Sequence, residues 1–292
     1  MIKTWVRMGV LALLWGSAFL WIKLALRGFT PIEVAVLRSV LGAAVLFVLA
    51  RIAGQRMPRG RVVWGRLAVA AFFCNAVPFA LFSIGEQTVD SGIAGVLNAT
   101  TPLWSLLIGL VLGTERGTHP ARLGGLLLGF AGVLLIFAPW ERSGLFGWGA
   151  LALVAAAASY AIAFAYMARK LAGTGAPIAT SAAQLGAASG LAALALPVDG
   201  GRPGFDGLAV LAVVLLGVFG TGFTFYLNYR LIEDEGPTGA AVVGYLLPVV
   251  SVALGAVVLG EPVTVRVVAG MVVVLAGVGL TRVKPRRVRV AA

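Results

Sequence analysis

Asn75, Phe79, Phe82 and Glu86 follow one another at intervals of 4, 3 and 4 residues, so on a helix they form a single stripe. Thr221, Phe225 and Asn228 repeat the rhythm 146 positions later. Rings interleaved with amide, hydroxyl and carboxyl groups are what an amphipathic small molecule needs from the wall of a cavity. The same polar groups could equally be hydrogen bonds between packed helices, and spacing leaves both readings open. Arg38 lies about six residues, or ~9 Å, into an apolar helix. An arginine at the centre of a bilayer-spanning helix costs roughly 2.5 to 3.5 kcal/mol, so it should face the interior and have a partner. Either it pairs with Glu86, or it receives a substrate carboxylate through its two-pronged guanidinium. Glu86 is also the carboxyl a proton-coupled process would use, whereas facilitated exchange needs none. Lys23 can reach the interface along its own stem.

Trp15 and Phe19 lie one turn apart, as do Tyr160 and Phe164 145 positions on. Such pairs serve as packing or interfacial anchors, or as cavity wall. Asn98, Thr101 and Ser105 continue a polar stripe through "GVLNATTPLWSLLIG", and Tyr245 stands in the corresponding "VVGYLLPVVSVALGA". Proline lacks an N–H and clashes with the carbonyl four residues back. Pro78, Pro102 and Pro248 therefore free the carbonyls of Cys74, Asn98 and Gly244, which hydrocarbon tolerates only where protein or a water-filled cavity receives them. These prolines are read as hinges of a transport path; bending a helix around its neighbours is the competing role.

Enzyme chemistry finds little support. His119 and Cys74 are the sole histidine and cysteine, and no triad, metal-ligand cluster or phosphate-binding glycine loop is present. Neither cofactor nor metal is expected, and one cysteine cannot form an internal disulfide.

Composition supplies the elements that must hold these residues. Of 292 residues, 60% are hydrophobic and 12% charged, with mean hydropathy +0.99, too much apolar surface for one water-soluble core. A bilayer-crossing helix takes ~20 apolar residues. Ten such stretches can be drawn, at 8–26, 32–50, 67–85, 92–113, 121–138, 147–168, 177–197, 208–229, 238–259 and 265–281. Lys3 and Arg7 ahead of the first resemble the start of a cleavable signal, but the run continues through Trp21 to Leu26 and is read as a retained span. A net charge of +12 could suggest nucleic acid, but the distribution argues otherwise. With the N-terminus cytoplasmic, Arg27, Arg142, Arg202 and Arg266 fall outside and Lys23 and Arg38 within spans. The other seventeen of the 23 basic residues fall inside, the bias that orients membrane proteins. Both termini are thus expected in the cytoplasm of a prokaryote, beneath its inner membrane, with acidic lipid rather than nucleic acid facing the basic residues.

Sliding the chain by 145 or 146 residues also aligns Arg38 with Gln184, Glu115 with Glu261 and Pro102 with Pro248. Five spans per half force the second copy to enter from the opposite side. Such inverted repeats are typical of transporters, with the substrate site at their meeting near the midplane.

At "LLWGSAF", "VLRSVLGA", "GEQTVDSGIAGVLNATTPLWSLLIG", "LGTER" and "GPTGAAVVGYLLPVVSVALGAVVLGEP" the chain resembles, over nearly its whole length, the EamA branch of the drug/metabolite transporter superfamily, and the YddG-like amino-acid exporters within it. The resemblance implies an all-α integral membrane protein of ten transmembrane helices, two inverted five-helix repeats around a central cavity, and no ATPase. The expected organisation is a first repeat at 1–140, a second at 147–284 and a basic cytoplasmic tail at 285–292. Glu115 and Glu261 are similar to the Gly-Glu pair that closes these helices in the family, where a capping or loop-pairing role is implied. The expected function is secondary transport of small amphipathic metabolites, amino acids first, out of the cell by alternating access. Multidrug or lipophilic-cation efflux is the alternative. Glycine pairs at 109/113, 125/129 and 186/190 permit close helix contact, within one chain or between two, leaving monomer and dimer both open.

Overall fold

The computed structural model describes residues 2–89, 91–112, 120–138, 147–171, 173, 176–198, 204, 206–250, 253 and 263–281. Among them no strand occurs. The helices are α1 (Ile2–Ala25), α2 (Pro31–Ile52), α3 (Arg61–Ala71), α4 (Val77–Thr88), α5 (Ser91–Asn98), α6 (Thr101–Val111), α7 (Pro120–Phe137), α8 (Trp148–Lys170), α9 (Pro177–Ala193), α10 (Gly207–Gly217), α11 (Thr224–Ala241) and α12 (Val265–Thr281). Six continuous helical stretches are long and apolar enough to cross a bilayer, and Pro120–Ile136 and Val265–Thr281 are shorter apolar helices. Leu13, Leu20, Val48, Leu127, Leu211 and Leu275 stay exposed around the outside, which suits lipid rather than water. The chain is a multi-pass membrane protein. Glu115, Glu261, Gly113, His119 and the basic tail lie outside the described residues.

Local chemistry sets the helix ends. Thr30 caps α2: its Oγ1 accepts the Glu33 N–H at 3.2 Å while the Glu33 carboxylate accepts the Thr30 N–H at 2.8 Å, with Pro31 preset in the first turn. Asp206 caps α10, accepting the N–H groups of Leu208 and Ala209. Gln55, just past α2, caps α9 from outside by accepting the N–H groups of Ile178 and Ala179 at 3.0 and 3.1 Å.

The expected kinks take three forms. At Pro102 the regular helix is interrupted for two residues: α5 stops at Asn98 and α6 starts at Thr101, with Thr100 still near helical dihedrals. The freed Asn98 carbonyl accepts the Thr101 hydroxyl at 2.7 Å, and Leu97 likewise accepts Thr100 at 2.6 Å. Ahead of Pro78, the chain widens into a π turn over Phe72–Ala76, the insertion that a missing N–H permits. A second π turn covers Val218–Phe223 with no proline; there the Thr224 hydroxyl donates to the carbonyls of Gly220 and Thr221. Pro248 follows a tight 3₁₀ turn over Val242–Tyr245. Gly236, at φ 76 and ψ 174, turns the chain within α11 ahead of Pro237.

Glycine brings α7 and α12 together. A Cβ on Gly125 would sit 2.7 Å from the Gly277 carbonyl oxygen, and one on Gly132 2.6 Å from the Val274 nitrogen. The 125/129 pair thus packs within the chain, whereas Gly186 and Gly190 meet nothing within 4 Å. An ion pair between Arg7 and Asp234 and another between Arg27 and Asp206 at 3.3 Å tie the two ends of α1 to α10 and α11.

Candidate functional site

A cleft opens where α1, α2, α4, α8, the α5–α6 junction and the 241–247 segment converge. On α1, Trp15, Ala18, Phe19 and Ile22 keep the helical spacing of one face, and α8 answers with Tyr160 and Phe164. Phe82 of α4 joins the two sides, its ring centroid 5.9 Å from that of Phe19 and 6.0 Å from that of Tyr160. Tyr160 lies 6.0 Å from Phe164 in turn. The chain's break contributes Asn98 and Thr101, and the opposing segment contributes Ala241, Gly244 and Leu247. A Cβ on Gly244 would stand 4.0 Å from the Asn98 carbonyl oxygen.

Arg38 supplies the cleft's charge and is 4% exposed. Its Nε donates to Thr221 Oγ1 at 3.0 Å, and Thr221 passes its own hydrogen to the Leu216 carbonyl at 2.9 Å. Its guanidinium carbon lies 3.8 Å from the Phe79 ring centroid, a cation–π seat. The Phe225 ring packs edge-on against Phe79 at 5.7 Å and against Trp15 at 6.2 Å. Nε and one face are thereby engaged, and among the described residues the two Nη groups have no hydrogen-bond partner.

Eight residues expected in a cavity wall therefore meet in one: Trp15, Phe19, Arg38, Phe82, Asn98, Thr101, Tyr160 and Phe164. Seven others stand outside it. Asn75 and Gln184 bond to each other, Gln184 Nε2 donating to Asn75 Oδ1 at 2.8 Å, which joins two helices and leaves Asn75 Nδ2 and Gln184 Oε1 buried without partners. Thr221, Phe79 and Phe225 support Arg38 and Trp15 from behind. Asn228 and the Tyr245 hydroxyl are buried without partners. A stripe covers a wide arc, and only its rim reaches the cleft. Ala18, Ile22, Ala241, Gly244 and Leu247 were missed, although Gly244 and Leu247 stand 146 positions from Asn98 and Thr101 and the repeat could have revealed them.

The expected ion pair between Arg38 and Glu86 is not formed, because Thr221 and Phe79 hold the guanidinium. Glu86 is 1% exposed and neither carboxyl oxygen has a partner. It borders a second, more polar hollow with Lys23, Arg27, Thr30 and Gln87, while Lys23 Nζ donates to the Glu86 backbone carbonyl at 3.1 Å. Pro78, Pro102 and Pro248 are buried beside the cleft rather than in its wall. No group of three or more acidic, histidine or cysteine side chains among the described residues could hold a metal.

Comparison with known proteins agrees with a transporter. The model of the EamA-like transporter family matches residues 4–138 and again 147–283. An uncharacterized transporter of Archaeoglobus fulgidus is 29% identical over 279 residues, 94% of this chain and 97% of its own. The uncharacterized inner membrane transporter YedA of Escherichia coli is 27% identical over 256 residues, 86% of this chain and 81% of its own. A crystal structure only 20% identical shares the fold, with a TM-score of 0.76 over 97% of both chains. Matched by the family's model across both halves and by transporters along nearly its whole length, the chain belongs to the EamA-like transporter family.

Proposed function

We propose that the protein carries small amphipathic carboxylates, amino acids foremost, out of the cell by alternating access between two inverted five-helix repeats, 1–140 and 147–284, that comprise ten membrane-spanning helices. The observation that carries the substrate class is Arg38. A buried cation without a counter-charge is costly, and this one keeps its Nη groups unpaired at an aromatic cleft. A carboxylate entering there would supply the missing charge through two parallel hydrogen bonds. The rings of Trp15, Phe19, Phe82 and Phe164 suit an apolar side chain, and the face of Tyr160 with the polar edge of Asn98 suits an ammonium group. A fixed cation in the cleft counts against lipophilic-cation efflux, as does the position of Glu86 one turn beyond the cleft.

The repeat reading is supported by the family match over two stretches and by cleft residues that pair across the halves: Trp15 with Tyr160, Phe19 with Phe164, Asn98 with Gly244. The close contacts of Gly125 with Gly277 and of Gly132 with Gly270 also exchange with one another under a shift of 145. Charge bias supports cytoplasmic termini, which sets Lys23 and Glu86 toward the outside.

Counterflow in proteoliposomes tests the reading. Vesicles loaded with mixed amino acids should take up labelled leucine or phenylalanine above empty liposomes and discriminate against the corresponding amides. Equal handling of acids and amides, or no uptake by folded protein, would remove amino acids as substrates.

A further inference from the structure

The group that the substrate reading leaves unused is Glu86. It is buried on α4 between the cleft and the outer hollow, both carboxyl oxygens lack a partner, and Ser83 Oγ three residues earlier is also unpartnered. The charged and titratable groups around it are few. From α1, Lys23 donates to the Glu86 carbonyl, and Arg27 borders the hollow while paired with Asp206. From α2, Arg38 is held by Thr221, and Glu33 is engaged with the Thr30 N–H. From α8, Tyr160 packs on Phe82 one turn below. Cys74 is buried in the π turn, and α5 brings no ionisable side chain.

We infer that Glu86 is the proton-exchange site that couples transport to a proton gradient, an inference that rests on the transport reading and deepens it. Both carboxyl oxygens are buried without a protein donor, which suits the neutral acid, and Lys23 is bonded to the carbonyl of the same residue. Loss of the proton leaves a carboxylate that the Lys23 ammonium reaches by rotating its stem from carbonyl to side chain. Each form thus has a ready partner arrangement, and Lys23 remains charged throughout. The proton comes from water in the outer hollow, travels on the neutral carboxyl through the closed form, and leaves to cytoplasmic water as substrate moves outward. A metal cation would have to sit beside the fixed charges of Lys23 and Arg38, whereas a proton removes charge instead of adding it.

The test uses the reconstituted full chain with labelled leucine under an imposed proton or sodium gradient. Wild type should accumulate leucine severalfold on the acidic side, with no response to sodium. Glu86→Gln, fixed in the neutral form, should lose accumulation while still exchanging leucine in counterflow, and Glu86→Asp should retain part of it. Accumulation by Glu86→Gln, sodium-driven accumulation, or failure of folded, exchanging wild type to accumulate leucine under the proton gradient would each overturn the assignment. Infrared difference spectra of the substrate-free protein between acid and alkaline buffer separate this site from the choice of substrate. The band of a buried carboxylic acid should be present in wild type and absent from Glu86→Gln, and its absence from wild type overturns the assignment even if leucine proves the wrong substrate.

Discussion

At the scale of single residues the argument turns on Arg38, whose Nε and ring face are occupied and whose Nη groups are not. Charge-assisted hydrogen bonds contribute roughly 1.5 to 3 kcal/mol, so Arg38→Ala should weaken carboxylate substrates by about 10- to 100-fold in counterflow and leave their amides nearly unchanged. Arg38→Lys should recover only part, because an ammonium lacks the planar fork. Equal losses for acids and amides would make Arg38 a structural residue. Asn75 and Gln184 give the contrasting case of polar groups that bond to each other outside the cleft. Asn75→Ala should lower stability in detergent by about 0.6 to 1.7 kcal/mol, the range of such bonds in membranes, while folded protein keeps its substrate preference. This distinction was not legible beforehand. The depth of Arg38 and the aromatic pairs could be read from spacing, but the partner that displaces Glu86, Thr221, lies 183 residues away. Nothing in a periodicity tells a hydrogen bond between helices from one offered to a ligand.

At the scale of elements, proline governs more than bend angle. Pro102 separates α5 from α6, and this break presents Asn98 and Thr101 at the cleft. Pro102→Ala restores an N–H to the Asn98 carbonyl and lets the two helices fuse, withdrawing that polar edge. Because displacement of a positioning group by an ångström costs orders of magnitude, counterflow should fall about tenfold or more at unchanged expression; a wild-type rate would mean that the break has no part in transport. Helix–helix approach gives a second test. Gly277→Val would drive a side chain into the backbone of α7 near Gly129, and overpacking of this kind costs about 1 to 3 kcal/mol, measurable as a lower Tm in detergent. The existence of these helices was plain from apolar length, and the proline positions from type alone. The π turns were less legible: that over Val218–Phe223 has no proline to announce it, and a single widened turn leaves hydrophobic spacing almost unchanged. The contact of α7 with α12 could be suspected from Gly125 and Gly129, but not whether the partner was this chain or another copy.

At the scale of the whole molecule, the ties between helices are unevenly distributed. α1 is bound to the α10–α11 rod at both ends, through Arg27 with Asp206 and Arg7 with Asp234, and midway through Trp15 against Phe225. α8 is bound to the chain that carries α4: the Ser159 hydroxyl donates to the Phe73 carbonyl at 2.7 Å, and a Cβ on Gly85 would be 3.0 Å from the Gly149 carbonyl oxygen. The cleft lies between these two pairs, and the alternating access proposed above would have them rock as units, with the rings of Phe19 and Phe82 parting and Lys23 leaving the Glu86 carbonyl across the gap. The repeat pairs residues of the two halves, but it could not reveal which helices are tied across them: the ion pairs of α1 run to α10 and α11, while Lys23 and Phe19 also touch α4. Cross-linking separates these possibilities, and buried Cys74 leaves introduced thiols as the reactive ones. A bifunctional thiol reagent joining Arg7→Cys to Asp234→Cys links residues that travel together and should leave counterflow near its rate before treatment. The same reagent joining Phe19→Cys to Phe82→Cys should stop it, with recovery when a cleavable linker is reduced. Arrest by the first link would show that α1 slides against α11 during the cycle, and free turnover across the second would mean that the cleft need not open between these helices at all.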